Sequence, residues 1–235
     1  AEVADGDRVL DVGSGTGSLS FAVHAATKTA HVIGVDPSRA FIEYATQKSR
    51  DSRAEFEVAD AQRLSFEDGS FDKTLSMLVM NFIPDRERAL EQMIRVTKPD
   101  GVVAAAVWDY AGEMQMLRVF WDEAVAFDPA VAPRDEAHMP LCKEGELAAL
   151  WTKKGLANVE QAPLTIATRF ESFDDYWSPF LMGQGPAGAY VTSLSEERRL
   201  ELEQRLRQRL LGSSADRAID LRARAWAVKG RVAPR

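Results

Sequence analysis

An apolar run, Arg8-Val9-Leu10-Asp11-Val12, delivers the chain straight into Gly13-Ser14-Gly15-Thr16-Gly17, and a helix-like stretch opens at Ser18. A strand feeding three alternate glycines into a helix is the feature that most constrains this fold. Glycine takes left-handed turns freely and lets backbone pass close to a ligand, because no Cβ intervenes. In open α/β sheets the crevice at the carboxyl ends of the strands is where ligands sit. A dinucleotide fingerprint needs glycine where Ser18 stands, and a P-loop needs a Lys followed by Ser or Thr, which the loop lacks. Nothing basic lies in the loop to meet a phosphate. The pattern favours a nucleoside with an uncharged or zwitterionic tail over a pyrophosphate.

The first half then alternates short β-rich runs with helical stretches, which predicts a parallel sheet with crossover helices. Strands are expected at 8–12, at 31–35 closed by Asp36, at 55–58 closed by Asp60, at 71–78 and at 101–108. Helices are expected at 18–26, at 38–47 with Pro37 in its first turn, and at 84–96. Past Trp108 the pattern loosens. It predicts a helix at 113–126, a proline-bearing loop at 128–140, a helix at 143–154 and a strand at 158–170. A helical insert at 173–211, broken at Gly183-Gln184-Gly185-Pro186, precedes a last strand at 220–231.

Acids punctuate the strand ends. Asp36, 19 residues beyond Gly17, stands where a carboxylate can accept from both hydroxyls of a ribose. Asp60, followed by Ala61, can accept from an adenine amino group while neighbouring amides meet a ring nitrogen. Asp11 is an acid inside an apolar strand, and burying a charge is costly unless it is paired. It is expected to hold loop amides or a cationic ligand group. Each aspartate alone could be a cap or turn former; three at successive strand ends are harder to obtain by chance.

The segments VLDVGSGTG (9–17), VIGVDPS (32–38), VADAQRLSFEDGSFD (58–72) and RVTKPDGVV (95–103) together resemble the successive motifs of class I S-adenosylmethionine-dependent methyltransferases, in particular the subgroup with the ubiquinone and menaquinone C-methyltransferases. The resemblance covers roughly residues 8–108. It implies an α/β, doubly wound, mostly parallel seven-stranded sheet of the Rossmann-like methyltransferase type, with helical inserts in the second half. It implies a single domain over 1–235, with 1–108 the cofactor-binding half and 109–142 and 171–212 an acceptor-side cap. S-adenosylmethionine is the implied cofactor, met by Asp11, Gly13, Ser14, Gly15, Thr16, Gly17, Asp36, Pro37, Asp60 and Ala61, with Met77 and Leu78 beside the sulfonium. Asp100 stands where that subgroup usually has glycine.

The implied reaction is methyl transfer to a small molecule, and such chemistry rests on alignment and water exclusion. An oxygen or nitrogen nucleophile can still need a base. Asn81 stands where many relatives have histidine, and asparagine cannot serve as one; no catalytic residue is assigned. Asn81, Trp108, Asp109 and Tyr110 are the candidates for touching the acceptor, the last two against the plainer reading of a strand-end turn. Aromatic and Met residues between 108 and 140 and between 173 and 211 are expected mostly to pack the inserts. A minority lining an apolar pocket would suit a hydrophobic or aromatic acceptor.

Composition narrows the alternatives. The net charge is −7, but residues 195–235 hold eleven Lys/Arg against six Asp/Glu, a local +5 that leaves −12 for the rest. An acidic body argues against a polyanionic substrate, although Arg198, Arg199, Arg205, Arg207 and Arg209 could dock RNA or a protein if the helix's own glutamates did not pair them. A cofactor-binding protein without catalysis is the other rival; a nicotinamide oxidoreductase is disfavoured by Ser18. Cys142 is the single cysteine, which excludes an internal disulfide and suits a reducing cytoplasm. His24, His31 and His138 lack metal-ligand spacing, so no metal is expected. No run is long enough to span a bilayer, and oligomeric state is left open. Relatives carry helices ahead of strand one; here that strand begins within ten residues of Ala1, so either such residues are missing or the second-half inserts supply the lid.

Overall fold

The computed structural model describes residues 1–234. Seven strands form one sheet: β1 (Arg8–Val12), β2 (His31–Asp36), β3 (Ala54–Val58), β4 (Phe71–Met77), β5 (Thr97–Trp108), β6 (Ala157–Phe170) and β7 (Ile219–Arg231). Their order is β3-β2-β1-β4-β5-β7-β6. The four neighbouring pairs from β3 to β5 are parallel, with Val9 opposite Val32 on one side and Lys73 on the other. The chain winds outward from β1 to β3 and then crosses back to β4. The strand order reverses at β1 and β4, and crevices open at such switch points.

Helices α1 (Ser18–Ala26), α2 (Arg39–Lys48) and α3 (Arg86–Val96) make the crossovers. Val9, Val23, Val32 and Leu75 pack together beneath α1. Capping chemistry corrects two expected helix starts. α2 begins at Arg39 because Ser38 is its N-cap, its hydroxyl accepting from the Phe41 amide, so Pro37 precedes the helix. α3 begins at Arg86, not Pro84, because Asp85 caps the Arg88 amide at 2.9 Å.

Two strand bounds also differ. β4 stops at Met77, since Leu78 adopts φ +64° and turns the chain out of the sheet. β5 reaches back to Thr97, through an irregularity in its register with β4 between Phe71 and Lys73. Within it Asp100 has φ +61°, a conformation that favours glycine and is tolerated by aspartate. A Cβ on the following Gly101 would lie 2.9 Å from the Asp72 carbonyl oxygen.

The second half adds α4 (Gln115–Phe127), α5 (Glu146–Lys153), α6 (Phe173–Leu181), α7 (Gly185–Ser193) and α8 (Glu196–Leu211). The expected loop at 128–140 instead carries 3₁₀ turns at Pro129–Arg134 and Glu136–His138, each started by an aspartate cap, Asp128 and Asp135. The chain divides into two units: one comprises 1–107, 144–162 and the chain from Trp226, and the other comprises 108–143 and 163–225. The second has its own core, built on Phe120, Trp121, Tyr176, Phe180, Tyr190 and Leu206, with Phe120 stacked on Phe180 at 4.5 Å. Among the described residues no helix is long and apolar enough to cross a membrane.

Candidate functional site

The loop after β1 is built from its own backbone first. The amides of Gly13 and Ser14 both donate to the Val35 carbonyl, at 2.8 and 2.9 Å, and that of Gly17 donates back to the Ser14 carbonyl at 2.8 Å. Gly13, Gly15 and Gly17 have φ of +76°, +53° and +88°. Their lack of a Cβ serves different ends. At Gly13 a Cβ would lie 2.4 Å from Val79, and at Gly17 2.7 Å from Phe21; at Gly15 it would meet nothing within 4 Å. Gly15 is the loop position that opens on free space. Thr16 is exposed beside it. Gly34 on β2 is a further requirement that the sequence reading missed, since a Cβ there would meet Phe56 at 2.6 Å and Ser14 at 2.9 Å.

Asp36 ties the loop to the next helix. Its Oδ2 accepts from the Gly15 amide at 3.0 Å and its Oδ1 from the Ser38 amide at 2.8 Å. Each carboxylate oxygen has a second lone pair, so both can still accept from a diol. Asp11 is buried, and the Ser20 hydroxyl donates to its Oδ2 at 2.7 Å; among the described residues Oδ1 has no hydrogen-bond partner. Burial pushes its carboxyl up to about 6, opposed by the hydrogen bonds from Ser20 and reinforced by the nearby Asp36 charge. The Ser14 hydroxyl is likewise buried without a partner. Two buried polar atoms without partners, one on β1 and one in the glycine loop, fit a polar ligand that brings its own hydrogen bonds.

Asp60, exposed at the end of β3, accepts from the Gln62 amide at 2.8 Å and the Gln62 side chain at 3.0 Å, and these hydrogen bonds hold its carboxyl below the ordinary range. Ala61 follows, half-buried. Met77 is partly exposed at the end of β4, and the Leu78 amide donates to the Ala106 carbonyl at 2.7 Å. The turn at Leu78 brings Val79 onto Gly13. Asp11, the glycine loop, Asp36, Asp60, Ala61, Met77 and Leu78 thus all belong to the first unit, as does Asn81, buried in a 3₁₀ turn. Pro37, exposed, lies between Asp36 and the α2 cap.

Trp108, Asp109 and Tyr110 belong to the second unit. Asp109 is only 4% exposed and takes four donors. Its Oδ2 takes Arg224 Nε at 2.9 Å, Arg224 Nη2 at 2.6 Å and the Glu113 amide at 3.1 Å, and its Oδ1 takes the Gly112 amide at 3.1 Å. That is a turn-building role. Trp108 is half-buried and Tyr110 buried. Of the aromatic residues in the inserts, Phe120, Trp121, Phe173, Tyr176, Trp177 and Phe180 are all core.

Four of the five arginines of α8 pair with acids on other elements. Arg198 meets Asp128, Arg205 meets Glu123, Arg207 meets Asp174 and Asp216, and Arg209 meets Asp122 and Glu123, all within 4 Å on other elements of the second unit. The second unit also holds a cavity of about 680 Å³. It is lined by Pro133, Arg134, Glu136 and Met139 from the 3₁₀ region and by Pro186 and Ala189 from α7. Glu136 is buried at its wall and accepts from Trp121 Nε1. Burial holds its carboxyl above the ordinary range, partly offset by that hydrogen bond.

A family model described as a methyltransferase domain matches residues 4–147. The 2-methyl-6-phytyl-1,4-hydroquinone methyltransferase of Synechocystis sp. is 36% identical over 121 residues, 51% of this chain and 38% of that protein. The demethylmenaquinone methyltransferase of Clavibacter sepedonicus is 40% identical over 98 residues, 41% of this chain and 39% of that protein. The matched stretch covers less than half of either relative's own length. Among solved structures, the Haemonchus contortus phosphoethanolamine N-methyltransferase 2 in complex with S-adenosyl-L-methionine matches over 100% of this chain and 50% of its own, with a TM-score of 0.58 at 18% identity, a likeness of fold. With the family model spanning more than half of the chain and the sheet order of the fold in place, the chain belongs to the methyltransferase-domain family, of the S-adenosylmethionine-dependent class that its motifs resemble.

Proposed function

We propose that this chain transfers a methyl group from S-adenosylmethionine to a small, hydrophobic or aromatic acceptor. The observation that carries the reading is the grouping on one sheet edge of Asp11, Ser14, Gly15, Asp36 and Asp60, with buried polar atoms of Asp11 and Ser14 unpaired. Asp11 and Ser14 would meet the amino-acid end of the donor, Asp36 the ribose and Asp60 with Ala61 the adenine, while Met77 and Leu78 border the reacting end. When bound, the donor supplies an electrophilic methyl on a cationic sulfur. The chain's own part is to orient and to exclude water. Asp11 is poised to neutralise a cationic group, since its ionised form is disfavoured without one.

The acceptor is assigned to the second unit, whose cavity is apolar over most of its wall and within the usual volume of a small-molecule site. Two relatives named for quinol and menaquinone methylation support an apolar acceptor. Asp109 is not assigned as a base, because its carboxylate is committed to Arg224 and to two turn amides. RNA docking through α8 is not proposed, because four of its arginines are already paired. Cys142, the single cysteine, is buried and can form no internal disulfide, which suits a reducing cytoplasm as the setting.

The test is calorimetric titration with S-adenosylhomocysteine, followed by methylation of a panel of quinols, phenols, amines and fatty acids. Saturable binding and turnover of at least one apolar acceptor are expected. Binding with no turnover of any member would support a non-catalytic donor-binding protein instead, and no binding at all would overturn the site.

A further inference from the structure

We infer that the methyl acceptor carries one anionic group, a carboxylate in the simplest case, held by the Arg134 guanidinium and the Tyr190 hydroxyl. Its apolar remainder lies along Pro133, Met139, Pro186 and Ala189 of the second unit's cavity. The inference rests on the assignment of the acceptor to that cavity.

The ionisable groups of the wall are Arg134, Asp135, Glu136 and His138. Asp135 is already engaged. Arg118 grips it with Nη1 on Oδ1 and Nη2 on Oδ2, both at 2.8 Å, and the Ala137 amide donates to Oδ1 at 2.8 Å. A fork of this kind satisfies a carboxylate and cancels its charge. Glu136 is buried and accepts from Trp121 Nε1, and burial favours its neutral form. His138 is exposed and can add only positive charge. Arg134 remains, exposed on the wall and, among the described residues, without a hydrogen bond or an ion pair. Elsewhere in the same unit Arg118, Arg198, Arg205, Arg207 and Arg209 each meet an acid. The cavity therefore offers an uncompensated cation beside an apolar surface.

A second, independent observation lies on α7. Pro186, Ala189 and Ser193 line the cavity, and Tyr190 shares their helical stripe, four residues after Pro186 and three before Ser193. The Tyr190 ring stacks on Trp121 and is 2% exposed, and its hydroxyl has no hydrogen-bond partner among the described residues. That hydroxyl stands among charges: burial and Asp128 push its titration up, while Arg198 and Arg134 pull it down. Asp128 and Arg198 are paired with each other at 3.2 Å, which leaves the Arg134 charge uncompensated beside it. A buried donor without an acceptor is costly. A carboxylate drawn in by the guanidinium supplies the missing acceptor. A carboxylate so paired is a poorer base and nucleophile, so it serves as an anchor.

The test is calorimetric titration of the full chain with octanoate, octanol and octylammonium, and with naphthoate, naphthylmethanol and naphthylmethylammonium. Each set shares an apolar body and differs in the charge of one end. The anion is expected to bind at least about fivefold more tightly than its neutral counterpart, and the preference to shrink as salt is added. Arg134→Gln is expected to bring the two to within about twofold, and Arg134→Lys to keep part of the preference. Tyr190→Phe is expected to weaken the anion by about threefold and leave the neutral form unmoved. Arg134 has no partner among the described residues to lose, so its variants are expected to fold as the unmodified protein does. A preference that survives Arg134→Gln would overturn the inference, as would equal binding of anion and neutral form by the unmodified protein. Ala189→Phe then separates the two readings. Weaker binding of the neutral forms in that variant keeps the cavity as the acceptor site, whereas binding untouched by the added ring removes the cavity from both. No binding of any compound would likewise overturn both.

Discussion

Three loop glycines share a left-handed backbone, yet each is glycine for its own reason, and two of those reasons lie inside the protein. Val79 presses on Gly13 and Phe21 on Gly17, whereas Gly15 faces open space. A valine at 79 belongs to a turn made by Leu78 at φ +64°, and nothing local in the sequence announces it. Asp100, by contrast, could be marked as unusual from the sequence, and its φ of +61° says why. Its main-chain partners, the Val232 carbonyl and the Arg231 guanidinium, do not depend on its side chain. Asp100→Gly is thus expected to keep or slightly raise stability, while Asp100→Val should cost about 1–2 kcal/mol in chemical denaturation, because a β-branched residue resists the left-handed region. At Asp11 the sign runs against the usual carboxylate. Its folded-state pKa, about 6, lies above that of an unfolded chain, so the folded protein holds a proton that the unfolded one releases. Stability is therefore lost as pH rises from about 4 to about 6, by up to about 3 kcal/mol, and stays lost above that window. Asp11→Asn should gain on the unmodified protein across that window in paired urea melts. A difference that stays flat with pH would contradict the assignment.

At the scale of elements, the turn from β5 into α4 is held by a residue 115 positions away from it. Asp109 grips the Arg224 guanidinium on β7 and two amides of its own turn, and a Cβ on Gly112 would fall 2.5 Å from the carboxylate. Asp109→Ala leaves those donors unpaired and is expected to cost about 2–4 kcal/mol. Its signature in activity should be loss of folded protein, with the acceptor KM of the surviving fraction unchanged. A raised KM at full stability would return Asp109 to the acceptor site. This residue also shows where the sequence stops being legible. Strands β1 to β5 and their helices could be read because each is punctuated locally, by a glycine, a proline or an acid at a strand end, and hydrophobic period does the rest. The aspartates at 11, 36 and 60 could be read for the same reason. What could not be read depends on partners distant in sequence: Arg224 on Asp109, Asp85 on Gln62, Phe56 on Gly34. The 3₁₀ turns of 129–138 were hidden in another way, since prolines signal a break in regular structure without saying that Asp128 and Asp135 will cap short turns there. The helix α6 to α7 break was legible at its glycines, but the reason for Gly188 was not: a Cβ there would sit 2.8 Å from the Gly183 backbone. Gly188→Ala is expected to lower the melting temperature through overpacking of about 1–3 kcal/mol.

For the whole molecule, the proposed donor and acceptor sites fall on different sides of the division of the chain. Every residue assigned to the donor lies in the first unit, and the cavity assigned to the acceptor lies entirely in the second. The two sets also differ in chemistry: acids and open backbone on one side, and on the other prolines, Met139 and Ala189 together with Arg134, Asp135, His138 and the buried Glu136. The arginines of α8, which on sequence alone left an RNA or protein partner as a rival reading, are met at four of five positions by Asp122, Glu123, Asp128, Asp174 and Asp216 of the second unit. On the proposed assignment, one affinity should be open to change without the other. Ala189 offers the cleanest place to try, because it is exposed on α7 at the cavity wall and its replacement disturbs no buried partner. Ala189→Phe adds a ring to that wall and removes room from a space of about 680 Å³. The expected outcome is an acceptor KM raised by about tenfold or more, with S-adenosylhomocysteine affinity within about twofold of the unmodified protein, since no residue assigned to the donor lies in α7. If turnover of the acceptor is unmoved by the added ring, the cavity is not where the acceptor binds, and the assignment of acceptor recognition to this wall of the second unit falls with it.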